Sequence, residues 1–300
     1  MLVILLGPRS SAKSTIADIL VSSSDYKRVR INPTDQKGDY LSFNSSSDFL
    51  DHATLHWRSH FVCTDLVTRK DIDSFRKRPF ALLVSVEAPL GWRYARANEK
   101  ASTSLEEFIA EDDLLQFGSS ITPSSSTLQL PSRPLALAHP LPSPPMSRSS
   151  SSTTLERTPL KDLTPLAHLI LRPALFPSVN ALRQHVVQLN LASESRVRPA
   201  WDDYFMTLAE LASLRSNCMK RRVGAVLISE RKTVMSTGYN GTPRGMVNCA
   251  EGGCPRCNSA AGLVRSGMDM HECLCLHAEE NALLEAGRGR AIGGTLYCNT

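Results

Sequence analysis

The chain's 300 residues, 42% of them apolar and 21% charged, suit about two folded domains and exclude a wholly disordered chain. No apolar run approaches the roughly 18 residues of a membrane-spanning helix, and the apolar start Met1–Leu6 is too short for a secretory leader, so the expectation is an intracellular protein, cytoplasmic or nuclear. A net charge of +5 without a long Lys/Arg run excludes a nucleic-acid-binding arm.

Residues 1–118 read as alternating strands and helices. Leu2–Leu6 is a short buried strand, Thr15–Val21 a helix, and Phe61–Thr64 and Ala81–Val86 are further apolar, partly β-branched runs. That alternation predicts βαβ units and a parallel sheet. Between the first strand and helix lies Gly7-Pro8-Arg9-Ser10-Ser11-Ala12-Lys13-Ser14. It follows the phosphate-loop pattern G-x-x-x-x-G-K-[ST], except that Ala12 stands at the second glycine. Gly7 permits the turn, Lys13 suits phosphate, and Ser14 suits Mg²⁺, so a nucleoside triphosphate with Mg²⁺ is the expected ligand. Asp65 is the best available acid to assist the metal.

Composition shifts at Ser119. Ser124–Ser126, Pro142–Pro145 and Ser149–Ser152 belong to a Ser/Pro-rich segment, 119–165, expected to be a disordered insertion. Residues 166–198 read as a helical return and connector, with Val179, Leu182, Val186, Val187 and Leu191 as the apolar face of a helix over Val179–Leu191. Residues 199–300 form a second block. Trp201–Leu214 reads as an amphipathic helix, Val223–Ile228 and Thr233–Tyr239 as two strands, and Gly241–Met270 as loop. A helix starts at His277 and ends at Gly287, and a further strand covers Gly294–Cys298.

His277-Ala278-Glu279 is half of a zinc-deaminase signature, in which the His holds the metal and the Glu moves protons without ligating it. Around it, Trp201–Met206, Arg222–Val226 and Gly238-Tyr239-Asn240-Gly241-Thr242-Pro243 occur in order. Together these pieces resemble the deoxycytidylate deaminases, above all their fungal form. The resemblance implies an α/β fold: a phosphate-loop parallel-sheet domain followed by a partial cytidine-deaminase-like α/β/α sandwich. It implies hydrolysis of dCMP to dUMP and ammonia, with catalytic Zn²⁺ on His277 and Glu279 as general acid/base. It places Asn240 and Gly241 at the nucleotide or effector site, with dCTP and dTTP as effectors of a homo-oligomer. Fungal members also carry a nucleotide-kinase-like domain in front, which Val84–Pro89, Arg93 and Arg96 suit.

The other half of the signature, P-C-x-x-C, does not occur before Thr300. Cys298 lies in a strand with no Pro before it and no partner three residues later, so it is not taken as the missing ligand. The expectation is a C-terminal truncation, with both catalytic thiolates just beyond Thr300. Seven of the eight cysteines lie beyond residue 217, which favours metal over disulfides. By resemblance, Cys218, Cys249, His271 and Cys275 would hold a second, structural zinc. The C-x-x-C at Cys254 and Cys257 instead suggests a set with His271 and Cys273, and spacing leaves the two open. The rival functions are a non-catalytic phosphate-loop nucleotide-binding or regulatory protein, and a deaminase of another cytosine or adenine substrate.

Overall fold

A computed structural model describes residues 1–33, 38–99, 103–118, 157–258 and 272–300. Two compact units emerge, Met1–Val197 and Arg198–Thr300.

The first unit runs β1 (Leu2–Leu6), α1 (Lys13–Ser23), β2 (Lys27–Ile31), β3 (Leu41–Phe43), α2 (Ser46–Leu55), β4 (Phe61–Cys63), α3 (Arg69–Arg76), β5 (Ala81–Val86), α4 (Leu90–Asn98), α5 (Leu105–Phe117), α6 (Leu160–Leu163), β6 (Leu169–Leu171) and α7 (Val179–Gln188). Its six strands lie in the order β3-β2-β4-β1-β5-β6, and every neighbouring pair is parallel. Strand alternation sends Val3, Leu5, Leu82, Val84 and Val86 to the face covered by α1 and α7. Leu2, Ile4, Leu6 and Leu83 go to the opposite face, under Phe49 of α2 and Ile72 and Phe75 of α3. Helices on both faces explain why β1 and β5 are continuously apolar.

Local chemistry sets the helix starts. Ser45 and Ser178 accept from Asp48 and Ala181 backbone amides at 3.1 and 3.2 Å, and Ser104 and Glu107 form a reciprocal capping box for α5. The buried Arg93 of α4 meets Asp112 of α5 through two parallel bonds of 2.7 Å, fastening the two helices together.

Three features depart from the sequence reading. The segment taken as disordered to Pro165 ends earlier, because Leu160 and Leu163 of α6 are buried, Leu163 in the core under the sheet. Its residues 119–156 lie outside the described residues, as does His271. The return segment contributes a sheet strand, β6, as well as a helix. On α7, only Leu182 and Val186 are buried, while Val179 and Val187 face outward.

The second unit comprises α8 (Trp201–Ser213), β7 (Gly224–Ile228), β8 (Val234–Tyr239), α9 (Pro255–Asn258), α10 (Ala278–Ala286), α11 (Arg288–Ala291) and β9 (Thr295–Cys298). Its sheet has the order β8-β7-β9, with both pairs antiparallel. Val226 and Ile228 pack on Phe205 and Ala209 of α8, whereas Ala225 and Leu227 pack on Ala278, Ala282 and Ala286 of α10. The result is a three-layer α/β/α sandwich. On α8 the buried stripe is Phe205 and Ala209, while Trp201 and Leu211 are exposed.

Candidate active site and cysteine cluster

Helix α10 carries the deaminase-like pair because its apolar stripe is made of alanines. Ala278, Ala282 and Ala286 recur every four residues and let the helix lie close to the sheet. The approach is tightest at Gly238 of β8, where a Cβ would stand 2.0 Å from the Ala278 carbonyl oxygen and 2.4 Å from the Ala282 nitrogen. His277 takes the extended N-cap conformation, so Glu279 occupies the first helical turn, where a carboxylate is favoured by the helix dipole. His277 and Glu280 are exposed and Glu279 is half-buried.

No side chain of His277 caps this helix. That role falls to Asn240, whose Oδ1 accepts from the Ala278 amide at 2.8 Å. Its Nδ2 makes a 3.4 Å bond to the Arg221 carbonyl. The Asn240 carbonyl accepts from the Asn217 and Cys218 amides at 3.1 and 3.2 Å and from Ser216 Oγ at 2.7 Å. Gly241 forms a bridge with Leu276, through amide–carbonyl bonds of 3.3 and 2.8 Å. A Cβ on Gly241 would lie 2.5 Å from Asn217 Oδ1, so a larger residue there would have to displace the Asn217 carboxamide. Asn281 is anchored through Nδ2 to the Tyr239 carbonyl at 3.0 Å.

Cys298 donates to Glu279 Oε1 at 3.1 Å. Burial, reinforced by that carboxylate, pushes the Cys298 thiol up to about 12, so it stays a neutral donor. The Glu279 carboxyl is held below its ordinary range by its own backbone N–H, which outweighs burial, with Cys298, His277 and Arg221 assisting. His277 and Glu279 open onto a groove of about 820 Å³ walled by Leu283, Leu284 and Ile292. A catalytic zinc requires three protein ligands. Among the described residues His277 joins no group of three or more candidate ligands. These residues therefore furnish one imidazole and a carboxylate, and not a complete catalytic zinc set.

The cysteines do converge. Sulfur atoms of Cys218, Cys249, Cys257 and Cys275 lie within 4.8 Å of one another, and so do those of Cys254, Cys257, Cys273 and Cys275. The cysteines of the two sets left open from sequence are thus parts of one cluster, joined through Cys257 and Cys275. Asn258 ties the loop together, donating to the Cys249 and Cys254 carbonyls at 2.8 and 2.9 Å. Burial raises Cys257 and Cys275, and neighbouring thiolates raise them further. For Cys254 burial acts upward too, but amides of Cys257 and Leu274 and nearby thiols outweigh it and bring the group down to about 6.

In the first unit, the loop between β1 and α1 wraps back on itself. Lys13 Nζ donates to the Gly7 and Pro8 carbonyls, each at 2.6 Å. Ala12 adopts left-handed geometry at φ 73°, the conformation for which a phosphate loop ordinarily uses glycine. At Gly7 a Cβ would meet the Val86 carbonyl oxygen at 2.3 Å. Burial, with the charges of Arg157 and Arg93, pulls Lys13 down to about 8. Ser14 is exposed. Asp65 is engaged by Arg30 Nε at 2.9 Å and the Ile31 amide at 3.0 Å. Sequence reasoning missed Arg157, which lines the cleft with Gly7 and Lys13. It stands at the end of a Ser/Pro-rich stretch that carries no folding signal.

Residues 199–300 match the family described as the cytidine and deoxycytidylate deaminase zinc-binding region. A deoxycytidylate deaminase of Schizosaccharomyces pombe is 37% identical over 99% of this chain and 82% of its own length. One from Saccharomyces cerevisiae is 36% identical over 86% of this chain and 72% of its own length. A solved dCMP deaminase of cyanophage S-TIM5, in complex with dCMP and dUMP, is 31% identical over 34% of this chain and 65% of that chain, with a TM-score of 0.26. On the extent of the two fungal matches, the chain belongs to the deoxycytidylate deaminase family.

Proposed function

We propose that this protein hydrolyses dCMP to dUMP and ammonia, with Glu279 as the proton carrier and His277 as a ligand to catalytic Zn²⁺. The observation that carries the reading is the placement of Glu279 two residues beyond His277, half-buried, at the start of a helix held by Asn240. The reaction adds water at C4 of the pyrimidine, protonates N3, and expels the exocyclic amine as ammonia. A zinc ion held by His277 together with further ligands would supply hydroxide at neutral pH, by lowering the pKa of a bound water. Glu279 takes the proton that water loses and delivers it to N3. It then takes the proton of the new C4 hydroxyl and passes it to the amine, which leaves as ammonia while the C4 carbonyl forms and the C4–N bond breaks. The neutral Cys298 thiol orients one carboxylate oxygen and leaves the other to do this work.

The first unit is proposed to bind a nucleoside triphosphate with Mg²⁺ through Gly7, Lys13 and Ser14. Its support is a loop that already has the left-handed turn at residue 12 and a half-buried lysine beside it. In the same reading dCTP and dTTP act as effectors, Asn240 and Gly241 border the nucleotide site, the protein is a homo-oligomer, and it works in the cytoplasm or nucleus. No helix among the described residues is long and apolar enough to cross a membrane.

The protein expressed from its complete coding sequence should release ammonia from dCMP, and not from cytidine or a cytosine-containing oligonucleotide. Turnover of the oligonucleotide in preference to dCMP would replace this substrate assignment.

A further inference from the structure

The six clustered cysteines exceed what one metal ion needs. A tetrahedral zinc takes four ligands, yet two complete thiol quartets overlap here through the same pair, Cys257 and Cys275. We propose that these residues build a binuclear zinc–thiolate centre. Cys218 and Cys249 would be terminal ligands of one ion, Cys254 and Cys273 terminal ligands of the other, and Cys257 and Cys275 would bridge both.

The geometry supports sharing over competition. With Zn–S near 2.3 Å, the edge of a ZnS₄ tetrahedron is about 3.8 Å, and the Cys254–Cys273 sulfurs are already 4.0 Å apart. Neither quartet contains terminal sulfurs from both sides, as expected where the terminal pairs point away from a common bridge. Three of the four terminal sulfurs face nitrogen donors. Cys218 is faced by the Lys220 and Arg221 amides, Cys254 by those of Cys257 and Leu274, and Cys249 by Asn258 Nδ2 at 4.0 Å. Terminal thiolates need such donors, because each is neutralised by one cation; a bridging sulfur shares its charge between two. An all-sulfur donor set of this kind selects soft or borderline ions such as Zn²⁺. Two Zn²⁺ with six thiolates carry the same net charge as one Zn²⁺ with four, and no thiol is left over.

The centre would also position the active helix. Only Leu276, itself bridged to Gly241, separates Cys275 from His277. The Cys218 amide donates to the same Asn240 whose side chain caps α10. Metal content at the cluster is therefore read independently of the substrate assignment.

The test counts zinc by mass spectrometry in the His277→Ala protein, which removes the catalytic site's contribution. Two zinc ions per chain are expected, falling to one in His277→Ala/Cys273→Ser. One ion or none in the His277→Ala parent overturns the proposal. Should that variant fail to fold, ¹¹³Cd substitution of the unmodified protein decides instead. Two resonances from all-thiolate sites, split by coupling through shared sulfur, are expected. A single all-thiolate resonance without coupling overturns the bridge.

Discussion

The side-chain oxygen of Asn240 accepts a hydrogen bond from the backbone amide of Ala278 at 2.8 Å, so a turn after β8 caps a helix that begins 38 residues later. The helix's own N-cap residue, His277, is thereby free of capping duty and available to a metal.

Asn240→Ala should cost about 1–2 kcal/mol, the range of a lost helix cap, and should lower turnover by loosening Glu279. Asn240→Asp keeps the acceptor and should retain most of the stability. Denaturant midpoints of the two variants check this; equal midpoints would mean that the bond carries no weight.

Gly238→Ala should be far more damaging than its single methyl suggests. The added carbon would meet backbone atoms of Ala278 and Ala282, which cannot rotate away. Displacing α10 is expected to cost about 3 kcal/mol or more. Thermal unfolding of the variant measures it, and a melting temperature unchanged from the parent would contradict the close packing.

The Arg93–Asp112 pair sits where water cannot replace a lost partner. Asp112→Ala should destabilise the first unit by about 3–5 kcal/mol, while replacing both residues with apolar ones of similar size should be much milder. A double-mutant cycle in denaturant reads the coupling directly.

Lys13 supplies a pH signature. Its folded pKa, about 8, lies below the ordinary 10.5, so between these values the unfolded chain holds more protons. Stability from this group is therefore lost as pH falls through about 8 and is fully present above about 10.5. Relative to Lys13→Met, the parent should gain stability on the order of 2 kcal/mol between pH 7.5 and 10. A parallel pH dependence in the two proteins would show that Lys13 is not buried as described.

Much of this organisation is legible in the chain. β1, β4 and β5 announce themselves as apolar runs because both sheet faces are covered, and α10 is bounded by His277 and Gly287 as its sequence suggests. β2 does not announce itself, since three of its five residues are basic and only Val29 is buried. Leu160 and Leu163 hide behind a Ser/Pro-rich stretch whose composition outweighs two leucines. Asn240 reads as a ligand-facing amide because its partner, Ala278, is remote in sequence. Spacing reveals the C-x-x-C and the resemblance groups Cys218, Cys249 and Cys275, but only the folded chain sets Cys257 beside those three.

The most direct test of the account compares dUMP formation from dCMP by the parent and Glu279→Gln, each expressed from the complete coding sequence, with zinc content measured alongside. Loss of the proton carrier should lower turnover by at least about 10²–10⁴-fold while zinc content stays unchanged. Turnover of the variant within tenfold of the parent would contradict the role assigned to Glu279.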